Sequence, residues 1–588
     1  MLTLLHSSVC LALLFLARAG LAAQEPGGVA SPKEATTQTD VDWIDDRWSR
    51  TEIGPFLHAT IETPRGRVPK GVAVKVGASR TGTVLFDTDT LRYAAGWTGG
   101  FLKLHPQRYG LISAPSAEGT VRFTSRPGPG WANNGSFKDP RERGLGPLPK
   151  QWARYQGLYL SGQRVVFKYT VGSLTVLDSP WLEDVDGVPV FSRTLQIEGA
   201  GELTLRVCDS EGAHVAVDGE GGEVEMTQTP DGVVARIVSL GTRRVRLGIG
   251  GSPSGAVEDL QLLTEGGPAR WTQPVTTQGV LGKSSGPFSI DTLTLPYANP
   301  WNALMFTSGH DFLPGGKAVV STIHGDVWQV SGIDRDLKEL KWKRFATGLY
   351  QPLGVKVRDG EIFVLERDQI TRLHDLNGDG EADFYENFNN DCISGGGGHS
   401  YTASLETDAQ GNFYFTKCAE NTPHGGTVLR VAADGSKLEV IATGFRNPNG
   451  MGIGPDDLLT VADQQGDWVP ETRLDVIRRG GFYGFMPMHK RTEAPATFDA
   501  PLCWIPRAVD NSAGGQVWAP RGTWGELAGQ MLHLSYGRCT MMLILRDGPN
   551  GGIVPLPGRF LSGVMRGRFH RDALYLTGLR GWQTAAIR

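Results

Sequence analysis

From about residue 299 to its end the chain repeats one theme. A short apolar run with period-two alternation gives way to a turn rich in glycine, asparagine or aspartate, and another run follows. Units centred on Ala318–Ser321, Gly354–Val357, Ala403–Leu405, Met451–Ile453, Gly515–Trp518 and Met565–Phe569 recur at the spacing of propeller blades. One such unit cannot bury its apolar faces alone, so the units must stack. The Asp-Gly and Gly-Asn turns between runs suit hairpins. The expectation is a six-bladed β-propeller over residues 299–588. Its last unit lacks an apolar outer strand after Leu576. Either the N-terminal part of the ring supplies that strand, or the natural protein continues further.

Residues 41–296 also read as strands, at Val72–Val76, Val165–Val171, Gly201–Val207 and Val233–Val238, with no capped helical periodicity. A β-sandwich-like domain is expected, so the whole chain is all-β. Between strands lie aromatic loops such as Gly96–Phe101 and Pro127–Trp131. Their rings either stack on sugars or plug the ends of the sandwich.

A chain of 588 residues predicts two or three domains. A formal net charge of −4 and the lack of a long basic run argue against nucleic acid as a partner. Leu11–Leu16 followed by the small residues of Ala17–Ala23 reads as a signal peptide over residues 1–23. Residues 24–40 form a polar spacer, and no later run has membrane-spanning length. The expected location is exported, periplasmic or extracellular. Beyond the signal stand Cys208, Cys392, Cys418, Cys503 and Cys539, an odd set. Cys392 and Cys418 flank one predicted blade and are the preferred disulfide pair. No Cys-x-x-Cys-His occurs, so the chain carries no covalent c-type haem.

The sharpest motif runs from Asp375 to Glu386. Asp375, Asn377, Asp379, Asp383 and Glu386 take positions 1, 3, 5, 9 and 12, Gly380 takes the turn at 6, and Glu381 offers its carbonyl at 7. Hard oxygen ligands on alternate residues of a turning backbone converge on one cation, so calcium is expected as a structural clip. The alternative is a solvated turn. His399 follows four glycines, which leave room for a ligand. It reads as a general base or as a packed channel histidine. Arg446 and Asn447 precede Pro448, which restricts them to extended or turn geometry suited to holding carboxylates or carbonyls. Arg566 and Arg568 share a strand face, for an anion or for inter-blade ion pairs. Arg538 and His533 are further candidates on the fifth unit.

From Trp301 onward these motifs resemble the soluble glucose/sorbosone dehydrogenase family, six-bladed quinoproteins that use pyrroloquinoline quinone and calcium. The likeness rests on the glycine loop with His399, then Asp408–Asn412, Gly444–Gly450, Asp463–Gly466, Gly480–Gly484 and the Arg566/Arg568 pair. It implies that His399 takes a sugar hydroxyl proton. It also implies that Arg446, Asn447, Arg566 and Arg568 hold the quinone, with Arg538 beside it, and that Gly466 and Asp467 lie near a catalytic calcium. The family's quinone-contacting lysine on the fifth blade falls at Gly537 here, and Gly398 stands where the family often has a polar contact. The first region resembles an uncharacterised domain of planctomycete and verrucomicrobial exported proteins, through Gly54–Leu57, Leu91–Phe101 and Gly157–Leu160. Relatives join it to such a propeller and some add a cytochrome c domain. That architecture implies a separate electron acceptor, such as a cytochrome c, for this chain.

Three functions follow as expectations. The first is an exported dehydrogenase acting on a sugar, polyol or glycan through a quinone. The second is a non-catalytic carbohydrate- or protein-binding propeller, with the first region as its recognition module. The third is a metal-dependent hydrolase or lyase on a glycan using His399.

Overall fold

The computed structural model describes residues 47–105, 110–111, 113–209, 215–218, 223–230, 232–283, 286–580 and 584–587. The expected signal peptide and polar spacer lie outside these residues. The described chain is all-β with short 3-10 turns, and no helix among them is long and apolar enough to cross a membrane.

Six sheets make the ring. Blade 1 holds Thr307–Phe312, Ala318–Thr322, Val327–Ser331 and Leu340–Ala346, with Val275–Thr277 added at its outer edge. Blade 2 holds Gly354–Arg358, Glu361–Leu365, Ile370–His374 and Phe384–Asn389. Blade 3 holds Thr402–Thr407, Phe413–Lys417, Thr427–Val431 and Leu438–Thr443. Blade 4 holds Pro448–Ile453, Leu459–Asp463, Thr472–Val476 and Cys503–Ile505. Blade 5 holds Ala513–Trp518, Met531–Ser535, Thr540–Asp547 and Asn550–Pro555. Blade 6 has three described strands, Arg566–His570, Ala573–Arg580 and Thr584–Ile587. The first strand of each blade packs on that of the next, and blade 6 meets blade 1, so the ring closes around an axial channel. Four of these innermost strands carry a register break, at Thr307/Gly309, Ala403/Glu406, Pro448/Gly450 and Ala513/Gln516. Such breaks twist a strand locally and re-aim its side chains.

The first region is a sandwich. One sheet spans Phe56–Thr124, and the other runs from Ala153 to Ile249. Phe86 stacks on Phe167 with ring centroids 4.0 Å apart, and Tyr93 donates to Asp178 at 2.6 Å within the layer. The first sheet is buried on both faces. Phe56, Val72, Val74, Val84, Phe86 and Tyr93 face the sandwich core, while Leu57, Ala59, Ala73, Leu85, Ala95 and Trp97 join a core with Trp328 and Trp342 of blade 1. Period-two alternation therefore separates two apolar environments here. At about 1.5–3 kcal/mol per large buried side chain, this contact binds the two regions into one body.

Three further features join them. Phe384–Glu386 of blade 2 pairs antiparallel with Gly157–Tyr159, so one sheet runs through both regions. His58 meets Glu366 at 2.9 Å, and Lys70 Nζ donates to the Asn390 carbonyl at 2.6 Å, both in buried positions. Trp97 and Trp131 are fully buried, so these loop aromatics are core residues and not sugar platforms.

The expected disulfide is absent. Cys392 and Cys418 are both free, because Cys392 belongs to the core of blades 2 and 3 while Cys418 belongs to the core shared with the first region. The Cys418 thiol instead donates to Asn447 Oδ1 at 2.9 Å.

Candidate functional site

The innermost strands of the ring all start at one end of the channel, and most of the candidate residues gather at that mouth. Asp463 closes blade 4's second strand and is fully buried. Its two carboxylate oxygens accept the backbone N–H groups of Arg446 and Asn447, each at 2.7 Å. This clamp shapes the turn before Pro448, and burial pushes the Asp463 carboxyl up to about 6. Asn447 donates to Gln464 Oε1 at 2.8 Å, and Gln464 donates to the Asn511 carbonyl at 3.3 Å. Arg446 is half-buried and donates to the Gln465 carbonyl at 3.1 Å.

Arg566 spans the channel. It donates to the Leu353 carbonyl of the second blade's entry at 3.2 Å and to Asn449 Oδ1 of the fourth blade at 3.0 Å. It donates to carbonyl and amide oxygens, and burial lowers its guanidinium to about 9. Arg568 parts from it. Two residues further down the channel it pairs with Glu406 at 2.7 Å and donates to the Leu405 carbonyl. The expectation that both arginines hold one ligand is thereby corrected. Strand alternation gives them one face but different depths, and a carboxylate already neutralises the deeper one.

His399 is exposed at the same mouth, edge-on to Tyr401 with ring centroids 6.2 Å apart. Its loop is fixed from below. Arg367 donates to the Gly397 and Ser400 carbonyls, and Lys417 donates to the Ser400 carbonyl at 2.5 Å. Gly396 has φ +72°, and a Cβ there would stand 2.8 Å from the Thr60 side chain, so the glycine is required where the first region presses on the loop. Tyr401 leads through Cys418 to Asn447, which places His399 and the Arg446–Asn447 turn around one opening.

The first region roofs part of this opening, which local sequence patterns did not signal. Tyr401 Oη donates to the Leu111 carbonyl at 2.7 Å, and Gln351 donates to the same oxygen at 3.3 Å. Beside the glycine loop lies a cavity of about 50 Å³ lined by Trp48, His58, Thr60, Tyr350, Arg367 and Gly398, drawn from both regions. His533, by contrast, is a core residue bonded to Asp510 at 2.8 Å and to Gln516 at 3.1 Å.

Arg446, Arg538, Arg566 and the Asn447 amide suit a polycarboxylate such as the implied quinone. Arg538 is half-buried and donates to the Arg507 carbonyl at 2.9 Å. Its buried Nε and the buried Asn511 Oδ1 nearby have no hydrogen-bond partner, as suits a site shaped for one more polar group. Gly537 stands where the resemblance places the family's lysine, and a side chain there would have to displace the Asn511 amide. A Cβ on Gly537 would stand 2.1 Å from Asn511 Oδ1. The donor set thus suits the carboxylates that a quinone would bring.

The calcium motif forms the hairpin turn between the last two strands of blade 2. Asp375 accepts the backbone N–H groups of Gly378, Asp379 and Gly380 at 2.8–3.1 Å, and Asp383 accepts those of Gly267 and Leu376. Burial first, and the neighbouring Asp379 carboxylate, raise the Asp383 pKa. Asn377 reaches the Gly267 carbonyl, and Asp379 caps Glu381. Glu386 does not join them. It sits on the strand opposite Arg372, paired to Arg372 and His374 at 2.6 and 2.7 Å, which hold its carboxyl below the usual range against the cost of burial. The Glu381 carboxylate pairs with Arg270 at 2.5 Å. The expected set therefore contracts to Asp375, Asn377, Asp379, Asp383 and the Glu381 carbonyl, because a strand and not a helix follows the loop. Among the described residues no three His, Cys, Asp or Glu side chains converge as a metal cage.

Residues 84–178 match a domain family of unknown function, DUF6797. No curated protein matches the chain. Among solved structures the chain is similar to a glucose dehydrogenase, at 14% identity over 48% of this chain and 96% of that one, with a TM-score of 0.41. It is similar to the PQQ-bound aldose sugar dehydrogenase of Streptomyces coelicolor, at 15% identity over 53% and 97%, TM-score 0.37. It is also similar to the apo aldose sugar dehydrogenase of Escherichia coli, at 13% identity over 48% and 95%, TM-score 0.35. Each of these three accounts for about half of this chain.

Proposed function

We propose that the propeller mouth is an oxidoreductase site that dehydrogenates a hydroxyl group of a sugar or polyol, in an exported protein. The observation that carries this reading is the contact network that joins Tyr401, next to the His399 loop, through Cys418 to Asn447 and on through Gln464 to Asn511 beside Arg538, where buried polar atoms stand without partners. Pyrroloquinoline quinone, when bound, supplies the hydride acceptor. Arg446 and Arg538 hold carboxylates there, Asn447 offers its amide, and Arg566 closes the channel floor. His399, on a loop anchored by Arg367 and Lys417, takes the hydroxyl proton. A separate carrier such as a cytochrome c takes the electrons onward. Export is supported by the apolar run Leu11–Leu16 and the small residues after it.

The test is turnover of a sugar panel by the quinone-loaded protein with an artificial electron dye. Turnover that falls at least about a hundredfold in His399→Ala, with quinone binding retained, supports the assignment. Turnover unchanged in that variant contradicts it. Glycine at position 537, where the resemblance places a lysine, favours a second reading, a mouth that binds a carbohydrate without oxidising it. Calorimetric binding of an oligosaccharide by a protein that takes up no quinone would establish that reading instead.

A further inference from the structure

Trp468 is 63% exposed, the most of any described tryptophan. Its backbone is as unusual as its exposure. Its φ is +65°, in the left-handed region that a bulky side chain adopts only under constraint. Trp524 shares that conformation, with φ +72°, but it packs edge-on to Phe569 at 5.1 Å and donates to the Asp572 carbonyl at 3.1 Å. Packing there offsets the strain. Trp504, the next most exposed, carries the Arg473 guanidinium 5.1 Å from its ring. Trp468 has no such contact: among the described residues no aromatic ring, cation or hydrogen-bond acceptor meets its indole. Backbone strain that gains nothing for the fold is a mark of a functional position.

The turn that carries Trp468 belongs to the mouth. Residues 464–471 join the second and third strands of blade 4. Gly466 and Val469 exchange backbone hydrogen bonds at 2.7 and 3.1 Å, which leaves Asp467 and Trp468 at the tip of a closed turn. Just before it, the Gln465 carbonyl accepts from Arg446 at 3.1 Å, and the Gln465 side chain accepts from Thr472 at 3.2 Å. A Cβ on Gly466 would stand 2.3 Å from the central guanidinium carbon of Arg446, so the turn rests directly on that arginine. The bare indole thus stands two residues beyond the glycine that touches a side chain of the mouth. An exposed indole beside polar groups is an amphipathic surface. It matches a ligand with an apolar face and a polar rim. A pyranose ring has both, with C–H groups on its faces and hydroxyls around its edge. An open-chain polyol has the hydroxyls and no fixed face.

We propose that Trp468 is the stacking platform for the sugar at the mouth, and that the site takes a sugar in its ring form in preference to an open-chain polyol. The indole covers one face of the ring and orients it, and it moves no proton. Trp468 is therefore a specificity-determining residue. This inference rests on the reading of the mouth as a site for a sugar or polyol.

The test is calorimetry of the full chain with the methyl pyranosides of glucose, galactose, mannose and xylose and with the matching alditols, beside turnover of the quinone-loaded protein. In wild type at least one pyranoside should bind about tenfold or more tightly than its alditol. Trp468→Ala should weaken that pyranoside about tenfold and leave the alditols unchanged, and Trp468→Phe should restore most of the loss. In turnover of the matching free sugar, Trp468→Ala should raise KM about tenfold with kcat within about twofold. Trp468→Gly, which relieves the left-handed backbone, should lose the binding and keep its melting temperature. Pyranosides that bind no better than their alditols overturn the proposal. So does a Trp468→Ala protein that binds them as wild type does. A fall of more than about 3 °C in the melting temperature of Trp468→Gly would make the indole a packing residue and also overturn it. Failure of the redox reading looks different. Pyranoside binding that depends on Trp468, without turnover, supports the platform and contradicts only the dehydrogenation, whereas turnover that needs His399 and is indifferent to Trp468 contradicts only the platform.

Discussion

Asp463 accepts two adjacent backbone N–H groups from a position without solvent contact, and so sets where Arg446 and Asn447 point. Asp463→Asn keeps the volume but leaves one oxygen to serve two donors. We predict a loss of about 2 kcal/mol, read by urea denaturation. The pH dependence has a definite sign. Burial pushes the folded carboxyl up to about 6, above the usual carboxylate range, so its contribution is present below the unfolded pKa and is lost as pH rises through the folded one. The stability gap between wild type and Asp463→Asn should therefore be widest below about pH 4 and narrow steadily as pH rises, reaching its smallest value above about pH 6. A gap that widens with pH contradicts the assignment. Asp463 was visible in the sequence only as part of a motif. Its role follows from a strand end meeting a turn seventeen residues away, which spacing alone does not encode. Trp97 and Trp131 were left open in the sequence for a related reason, and the structure takes the core alternative: a glycine-rich aromatic segment looks the same whether it ends in solvent or in a core.

At the scale of elements, the blades were legible because each is local. Period-two runs and glycine turns specify a four-stranded meander from within its own sequence. The segment Asp375–Asp383 was legible as a tight turn, and the course of the chain after it was not. Asp375 to Asp383 form the turn, but Glu386 already obeys the alternation of the strand Phe384–Asn389 and faces Arg372. Calcium, if held by the contracted set, should raise the melting temperature equally in wild type and Glu386→Gln, while Asp379→Asn should abolish the rise. A calcium-dependent shift lost in Glu386→Gln would restore the twelve-position loop and contradict the register described above.

For the whole molecule, the surprise is that the first region is no appendage. Its front sheet is buried on both faces, its back sheet continues into blade 2, and its Gly110–Leu111 turn rests on the mouth. Sequence could not show this, because apolar residues on alternate sides of a strand look alike whichever core they enter. The prediction is one cooperative unfolding transition for the folded body in calorimetry, with equal calorimetric and van't Hoff enthalpies. Two separated transitions would show that the sandwich and the ring are independent.

The most direct test of the central claim is an absorbance titration of the folded protein with pyrroloquinoline quinone, in wild type, Arg446→Ala and Arg538→Ala. Saturable binding by wild type, weakened about tenfold or more in each variant, is the predicted result. A folded wild-type protein that shows no saturable uptake, or variants that bind as tightly as wild type, would contradict the placement of a redox site at the propeller mouth.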